Sequence, residues 1–278
     1  AGFAVVSWWY FGGLVSPKYG AMAPRFFAAT TMGIGLALVI QWLTEHFTST
    51  EKKPVTEIAH AAKTGPATLL LTGFASGLES SVWAVLAIGA TIYGSYSIFG
   101  GSLSLSAYGI ALAGLGLLAT TGFVLAEDTF GPITDNANGI FEMSGALKGN
   151  PKTPSGIEAH RIVAKLDAVG NTTKALTKGL AIATAVIAAV SLFRAFIDEA
   201  RLYEIGIQVN LPEVFVGFLI GGAVPFLFSS FAIQAVSRAA FLLVEEVRRQ
   251  FREIPGIMEG TGKPEYSRCV AICTAAAQ

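Results

Sequence analysis

The chain has 278 residues, zero formal net charge, 53% apolar and only 14% charged residues, and a mean hydropathy of +0.58. A water-soluble domain carries about a quarter charged residues, so the composition excludes an ordinary soluble globular fold. Several nearly uncharged windows are long enough to cross a bilayer, which makes an all-α polytopic membrane helix bundle the expected architecture.

In chain order, residues 1–14 are too short to span and read as the tail of a helix, followed by a turn over Ser16–Gly20. A first full span is expected over about 25–45, and a second over about 66–93 with a Gly73-xxx-Gly77 pair suited to close helix packing. The uncharged stretch 93–106 reads as a short loop, and a third span runs from about Ala107 into an acidic motif. The fourth is expected to start at Gly170-Asn171 and reach about Ala195. The fifth occupies about 212–236, carries Gly217-xxx-Gly221 and Pro225, and continues as a charged helix through Phe251. Five full transmembrane helices with partial helices at both ends thus form one transmembrane domain over 1–278. Both termini read as interrupted helices, so a longer polytopic protein is the expectation.

Lysine and arginine fall unevenly on alternate connections. All of them except Lys18, Arg25, Arg194 and Arg201 lie on one side, which the positive-inside rule assigns to the cytoplasm. Loops 45–65, 136–169 and 238–268 are therefore expected to be cytoplasmic. The longest, 142–169, joins an acidic helix end to an Asn/Thr/Lys-rich one.

Several residues carry potential chemistry. Glu79 sits mid-span in Gly77-Leu-Glu-Ser-Ser81, where a carboxyl group needs a partner or serves a proton path. Glu127, Asp128 and Asp135, beside Asn136 and Asn138, form a set of hard oxygen donors of the kind that suits Mg²⁺. Asp128 and Asp135 are two helical turns apart and share a face if the helix survives Gly131-Pro132. Gly170-Asn171-Thr172-Thr173 reads as an N-cap whose free N–H groups form a phosphate site, with Lys174 and Lys178 in the first turns implying a nearby anion or acidic cluster. A solvated acidic terminus and snorkelling lysines are the plain alternatives. Residues 245–252 alternate in sign, as on a salt-bridged helix. Cys269 and Cys273 read as a small-residue helical face, and His46, His60 and His160 lie isolated.

Three collinear stretches, Asp128-Thr-Phe-Gly-Pro-Ile-Thr-Asp-Asn-Ala-Asn-Gly139, Asp167-Ala-Val-Gly-Asn-Thr-Thr-Lys-Ala175 and Val244-Glu-Glu-Val-Arg-Arg-Gln-Phe-Arg-Glu-Ile-Pro-Gly-Ile-Met-Glu-Gly260, resemble the membrane-bound, ion-translocating inorganic pyrophosphatases. Thr44-Glu-His-Phe-Thr-Ser, Gly77-Leu-Glu-Ser-Ser81 and Gly262-Lys-Pro-Glu-Tyr266 fit the same family, so the resemblance covers nearly the whole chain. It implies the central-to-late part of a homodimeric pump that hydrolyses Mg-pyrophosphate at the cytoplasmic face and moves H⁺ or Na⁺ outward. The implied partners are pyrophosphate, the lipid bilayer and a second copy of the chain, with no nucleic acid.

The resemblance further implies that Asp135 and Asn171 bind Mg²⁺ and pyrophosphate. It implies that Lys174 with Thr177 marks the potassium-independent, proton-pumping class, a fixed ammonium replacing bound K⁺. Asp128 and Glu79 are possible supporting acids. The chain departs from the family pattern at Glu127 (usually apolar), at Asn138 (usually Gly), at Ala164-Lys165 (usually with an acid) and in a longer 142–167 connection. Acids of the water-activating and gate helices are absent, so this segment alone is expected to be inactive. A secondary transporter or channel segment and a catalytically dead paralogue are the alternatives.

Overall fold

The computed structural model describes residues 2–100, 102–143, 154–202 and 206–277. Nearly all are helical: α1 Gly2–Phe11, α2 Ala23–Thr48, α3 Lys53–Ala61, α4 Pro66–Ile98, α5 Leu103–Leu117, α6 Thr121–Met143, α7 Pro154–Glu199, α8 Pro212–Glu253 and α9 Tyr266–Ala277. Single 3₁₀ turns cover Ala62–Thr64 and Leu118–Thr120. The expected turn at 16–20 is the tip of a small antiparallel ribbon pairing Val15 with Ala21 and Ser16 with Gly20. Five helical segments are long and apolar enough to cross a membrane: 23–64, 66–98, 103–142, 157–199 and 212–253. This is an all-α polytopic membrane bundle, as the composition required.

The chain divides into two compact units, Ala1–Arg201 and Leu202–Gln278. In the first, Leu36, Ala37 and Ile40 of α2, Ile88 of α4, Ile110 and Leu117 of α5, and Leu176, Leu180, Ala183 and Ile187 of α7 form one buried core. Helices α2 and α5 meet at a pair of glycines. A Cβ on Gly33 would lie 1.8 Å from the carbonyl oxygen of Ala113, and one on Gly116 would lie 2.0 Å from that of Thr30. Only residues without a side chain let two helix backbones come that close. By contrast, Gly73, Gly77, Gly217 and Gly221 have nothing within 4 Å of an added Cβ. The expected Gly-xxx-Gly packing faces are therefore open among the described residues.

A second cluster, Met22, Phe26, Ala29 and Phe99, closes one end of the unit. Phe99 has no exposed surface, and its ring rests against Gly109, where a Cβ would sit 2.1 Å from it. The Arg25 guanidinium donates to the carbonyl oxygens of Ile98 and Tyr19. These contacts hold α4 helical to Ile98, and α5 starts at Leu103, so both helices extend into the loop expected over 93–106.

Two other expectations fail for a shared reason. The connection 142–169 is not a loop throughout, since α6 continues to Met143 and α7 starts at Pro154; residues 144–153 lie outside the described residues. Nor does a helix begin at Gly170-Asn171, which falls mid-way along the 46 residues of α7. Gly, Asn and Thr are weak helix formers, but tertiary packing overrides so small a preference. The Thr173 hydroxyl bonds back to the Gly170 carbonyl at 2.9 Å, and that of Thr172 to the Ala168 carbonyl at 3.4 Å. The N-terminal phosphate site expected there does not exist, because those N–H groups lie within the helix. The segments 45–65 and 238–268 likewise contain helix, α3 and the end of α8 respectively.

In the second unit, α8 is one helix through Pro225, apolar over its first part and charged at its end. Its sign alternation forms the expected ion pairs, Arg248 with Glu245 at 3.0 Å and Arg249 with Glu246 at 2.8 Å and Glu253 at 2.7 Å. The network also reaches the start of α9. Arg249 meets Glu265 at 2.8 Å, Arg268 meets Glu246 at 3.1 Å, and Gln250 both donates to the Glu265 carbonyl and accepts its N–H. Glu246, 5% exposed, is the hub. The turn it closes uses Gly256 and Gly260 at φ +81° and +74°, which favour glycine.

Replacing Glu246 by Ala should strand Arg249 and Arg268 without their shared carboxylate. Limited proteolysis of the 254–265 segment should then proceed several-fold faster, and an unchanged cleavage rate would refute the tie. Cys269 lies half-buried against the Gln250 amide at 3.7 Å and Cys273 is exposed. Among the described residues no group of three or more His, Cys, Asp or Glu is placed to hold a metal ion.

Candidate functional site

Helices α6 and α7 run antiparallel, and their contact line carries most of the chemistry that the sequence singles out. The crossing is set by Gly131 and Gly170. A Cβ on Gly131 would lie 2.8 Å from the Gly170 carbonyl oxygen and 2.4 Å from Lys174 Cγ; one on Gly170 would lie 2.0 Å from Thr134 Oγ1. Helix α6 passes through Pro132, which has no N–H to give back to the preceding turn. Thr134, buried beside the break, donates its hydroxyl to the carbonyls of Phe130 and Gly131 at 3.1 and 2.9 Å.

Polar pairs are threaded along this seam in order. Thr177 Oγ1 donates to Asp128 Oδ1 at 2.8 Å. Lys174 Nζ donates to Asp135 Oδ2 at 2.8 Å and to Asn171 Oδ1 at 3.4 Å. Asn138 Nδ2 donates to Asp167 Oδ2 at 3.4 Å. Residues 128, 131, 135 and 138 thus repeat at helical spacing on α6, and 167, 170/171, 174 and 177/178 repeat on α7. The seam brings together Asp135, Asn171, Lys174, Thr177 and Asp128 of the expected residues.

The acidic trio divides. Glu127 lies on another side of α6, in a groove of about 680 Å³ with Glu45, Glu51, Lys165 and Thr172. Asp128 and Asp135 share the α7-facing side but stand about 10 Å apart along the axis at 1.5 Å per residue, too far to chelate one ion together. Glu79 is exposed on α4 and is not brought to the seam. The expectation that Lys174 has an acidic neighbour is met by Asp135, while Lys178 makes no ion pair among the described residues.

The pair Lys174–Asp135 is partly solvated, with the lysine side chain 28% and the aspartate 60% exposed. As an isolated surface pair it contributes at most about 1 kcal/mol to stability. Its interest is chemical: an ammonium holds the point where two oxygen donors converge, while the other Asp135 oxygen keeps its lone pairs. Asp135 and Asn171 supply one carboxylate and one amide oxygen, hard donors of the kind that a divalent cation accepts when water completes its shell. Beyond Asp128 and Thr177 the seam opens into an apolar groove of about 560 Å³ lined by Val124, Leu125, Leu180, Ala181 and Thr184.

Sequence reasoning passed over Thr134 and Asp167 as site residues, and read Asn138 as a metal donor rather than as the partner of Asp167. Their signal was the three-four spacing shared with Asp128, Gly131 and Asp135 on one helix and with Asn171 and Lys174 on the other.

The sequence profile of the family described as Inorganic H+ pyrophosphatase matches residues 1–278. The chain is 49% identical over 284 residues to the K(+)-insensitive pyrophosphate-energized proton pump of Chloroflexus aurantiacus, covering 95% of this chain and 35% of that protein. It is 47% identical over 268 residues to the protein of the same description in Streptomyces coelicolor, covering 90% and 33%. It is 44% identical over 255 residues to the protein of that description in Methanosarcina mazei, covering 91% and 37%. The chain spans about a third of the length of the curated relatives it matches. A membrane helix bundle matched from end to end by one family profile has one assignment: the chain belongs to the inorganic H+ pyrophosphatase family.

Proposed function

We propose that this chain is the central-to-late part of a pyrophosphate-energised proton pump of the potassium-independent class. In that reading the α6–α7 seam is one wall of its pyrophosphate site. The observation that carries the reading is the position of Lys174 Nζ, 2.8 Å from Asp135 Oδ2 and 3.4 Å from Asn171 Oδ1. A fixed ammonium there supplies, without dissociating, the positive charge that a bound K⁺ would bring beside a phosphate anion. The names of the K(+)-insensitive relatives support the same class, and with it H⁺ as the pumped ion.

Asp135 and Asn171 are the residues that would hold Mg²⁺, which supplies charge neutralisation to phosphate oxygens when bound. Asp135 would bring its carboxylate, which Lys174 holds in place through Oδ2. Asn171 presents its carbonyl oxygen one helical turn from Lys174. Thr177, bonded to Asp128, fixes the next turn of α7. The glycine crossing holds these groups in register, so catalysis by this wall is positioning and electrostatic stabilisation. Water activation and the ion gate belong to acids outside this segment.

The lysine and arginine bias supports placing the 45–65, 136–169 and 238–268 segments in the cytoplasm. The family resemblance supports homodimeric assembly. The test is to express the complete chain in membranes and measure Mg-pyrophosphate hydrolysis with and without K⁺. Hydrolysis at the same rate in both media is the expected result. Strong K⁺ stimulation overturns the potassium-independent assignment, and absence of hydrolysis favours solute binding without turnover or a dead paralogue.

A further inference from the structure

We infer that Asn138 and Asp167 are positioning residues that hold the α6–α7 seam closed beside the pyrophosphate wall. This rests on the pyrophosphate reading above and adds to it a pair of residues that do not touch the substrate.

Three observations carry the inference. The Asn138 amide is shared between two carboxylates on different helices, Asp167 Oδ2 of α7 at 3.4 Å and Glu142 Oε1 of α6 at 3.5 Å. The other Asp167 oxygen, Oδ1, is removed from solvent and has no hydrogen-bond partner among the described residues. Finally, Asn138 lies one turn of α6 from Asp135, and Asp167 lies one turn of α7 from Asn171, so the tie adjoins both proposed ligands.

A buried carboxylate oxygen without a partner is costly, and the donor remaining to the other oxygen therefore matters more than an ordinary hydrogen bond. The neutral amide also separates two like charges. Without it, Asp167 and Glu142 face each other across the seam and repel, and the end of the seam that carries Asp135 and Asn171 is pushed apart. The consequence is charge-specific. Removing the donor weakens substrate binding, adding a third carboxylate weakens it further, and exchanging donor and acceptor restores part of it.

The experiment uses the complete pump in membranes, with KM and kcat for Mg-pyrophosphate and a thermal inactivation midpoint for each variant. Asn138→Asp should raise KM about tenfold with kcat little changed, the effect expected from losing one hydrogen bond to a charged group. The double variant that combines Asn138→Asp with Asp167→Asn should return KM part of the way to the parent, since the cross-helix bond is rebuilt with its direction reversed while the carboxylate at position 138 still faces Glu142. Asn138→Gly, which removes the amide without adding charge, covers the case in which Asn138→Asp does not fold. It should raise KM less, and Glu142→Gln in the same background should relieve part of the rise. A KM unchanged in Asn138→Asp or in Asn138→Gly, or a double variant no better than Asn138→Asp alone, overturns the inference. A parent pump that does not hydrolyse pyrophosphate overturns the reading beneath it, which is a separate result.

Discussion

Replacing Lys174 by Ala in the complete pump should lower pyrophosphate hydrolysis about a hundredfold in K⁺-free medium, the effect of removing one group aimed at developing negative charge. Added K⁺ should restore a large part of it. The Lys174 ammonium makes two bonds, to Asp135 Oδ2 and Asn171 Oδ1. Truncation leaves those oxygens converging on a space that has lost a positive charge, next to where phosphate anions would sit. Oxygen donors around such a space suit a hard monovalent cation, so K⁺ takes the position that the ammonium held. Arg in place of Lys174 is not conservative here. Its planar fork cannot place one point charge between the two oxygens, and it should stay impaired with or without K⁺. The measurement is initial rate against K⁺ concentration at saturating Mg-pyrophosphate. A Lys174→Ala pump as fast as the parent without K⁺ would remove the lysine from the site, and one that K⁺ fails to rescue would show that the ammonium does more than replace a cation.

The architecture was legible because membrane spans announce themselves in one dimension. Ile, Leu, Val and Ala run for a bilayer thickness with few charges, and each of the five expected spans falls within a long apolar helical segment, the third crossing from α5 through the 3₁₀ turn into α6. The ends of the helices were less legible, for a physical reason visible at Gly170-Asn171-Thr172-Thr173. Local preference reads these residues as a cap, but Gly170 is there to let α6 approach, and the threonine hydroxyls satisfy carbonyls of their own helix. The same holds for Gly131-Pro132, a break in one dimension and a crossing point in three.

The glycines make the lesson sharper. The Gly-xxx-Gly pattern selected Gly73, Gly77, Gly217 and Gly221, whose surroundings are open, while the close approaches pair Gly33 with the α5 backbone, Gly116 with α2, and Gly131 with Gly170. Those partners lie on other helices, and no spacing within one segment encodes them. Asp135, Asn171 and Lys174 were recognisable as residues from the family resemblance. That they meet at one point, and that Glu127 does not join them, is a property of how α6 and α7 face each other.

Substituting Gly170 by Val should be the most damaging single change along the seam. An added Cβ alone falls 2.0 Å from Thr134 Oγ1, far inside contact distance, and makes a tight 3.2 Å approach to Gly131 Cα. Thr134 cannot turn aside freely: it is 6% exposed and its hydroxyl serves the carbonyls of Phe130 and Gly131 next to Pro132. Relief must come from moving α6 away from α7, and overpacking of this kind costs about 1–3 kcal/mol. The functional loss is larger than that, because the displaced helix carries Asp135. Separation by about 1 Å breaks the 2.8 Å contact with Lys174, and misplacement on that scale lowers rates about a hundredfold or more.

Two readouts separate this from loss of charge. K⁺ should not rescue Gly170→Val, since Lys174 is still present and only its partner has moved. A cysteine pair at positions 135 and 174 should also cross-link more slowly in the Gly170→Val background than in the parent. Gly122→Ala, on the same helix as Asp135 with nothing within 4 Å of the added Cβ, is the control and should retain activity. A Gly170→Val pump that works normally, or that K⁺ restores, would mean that the crossing does not set the geometry of the site.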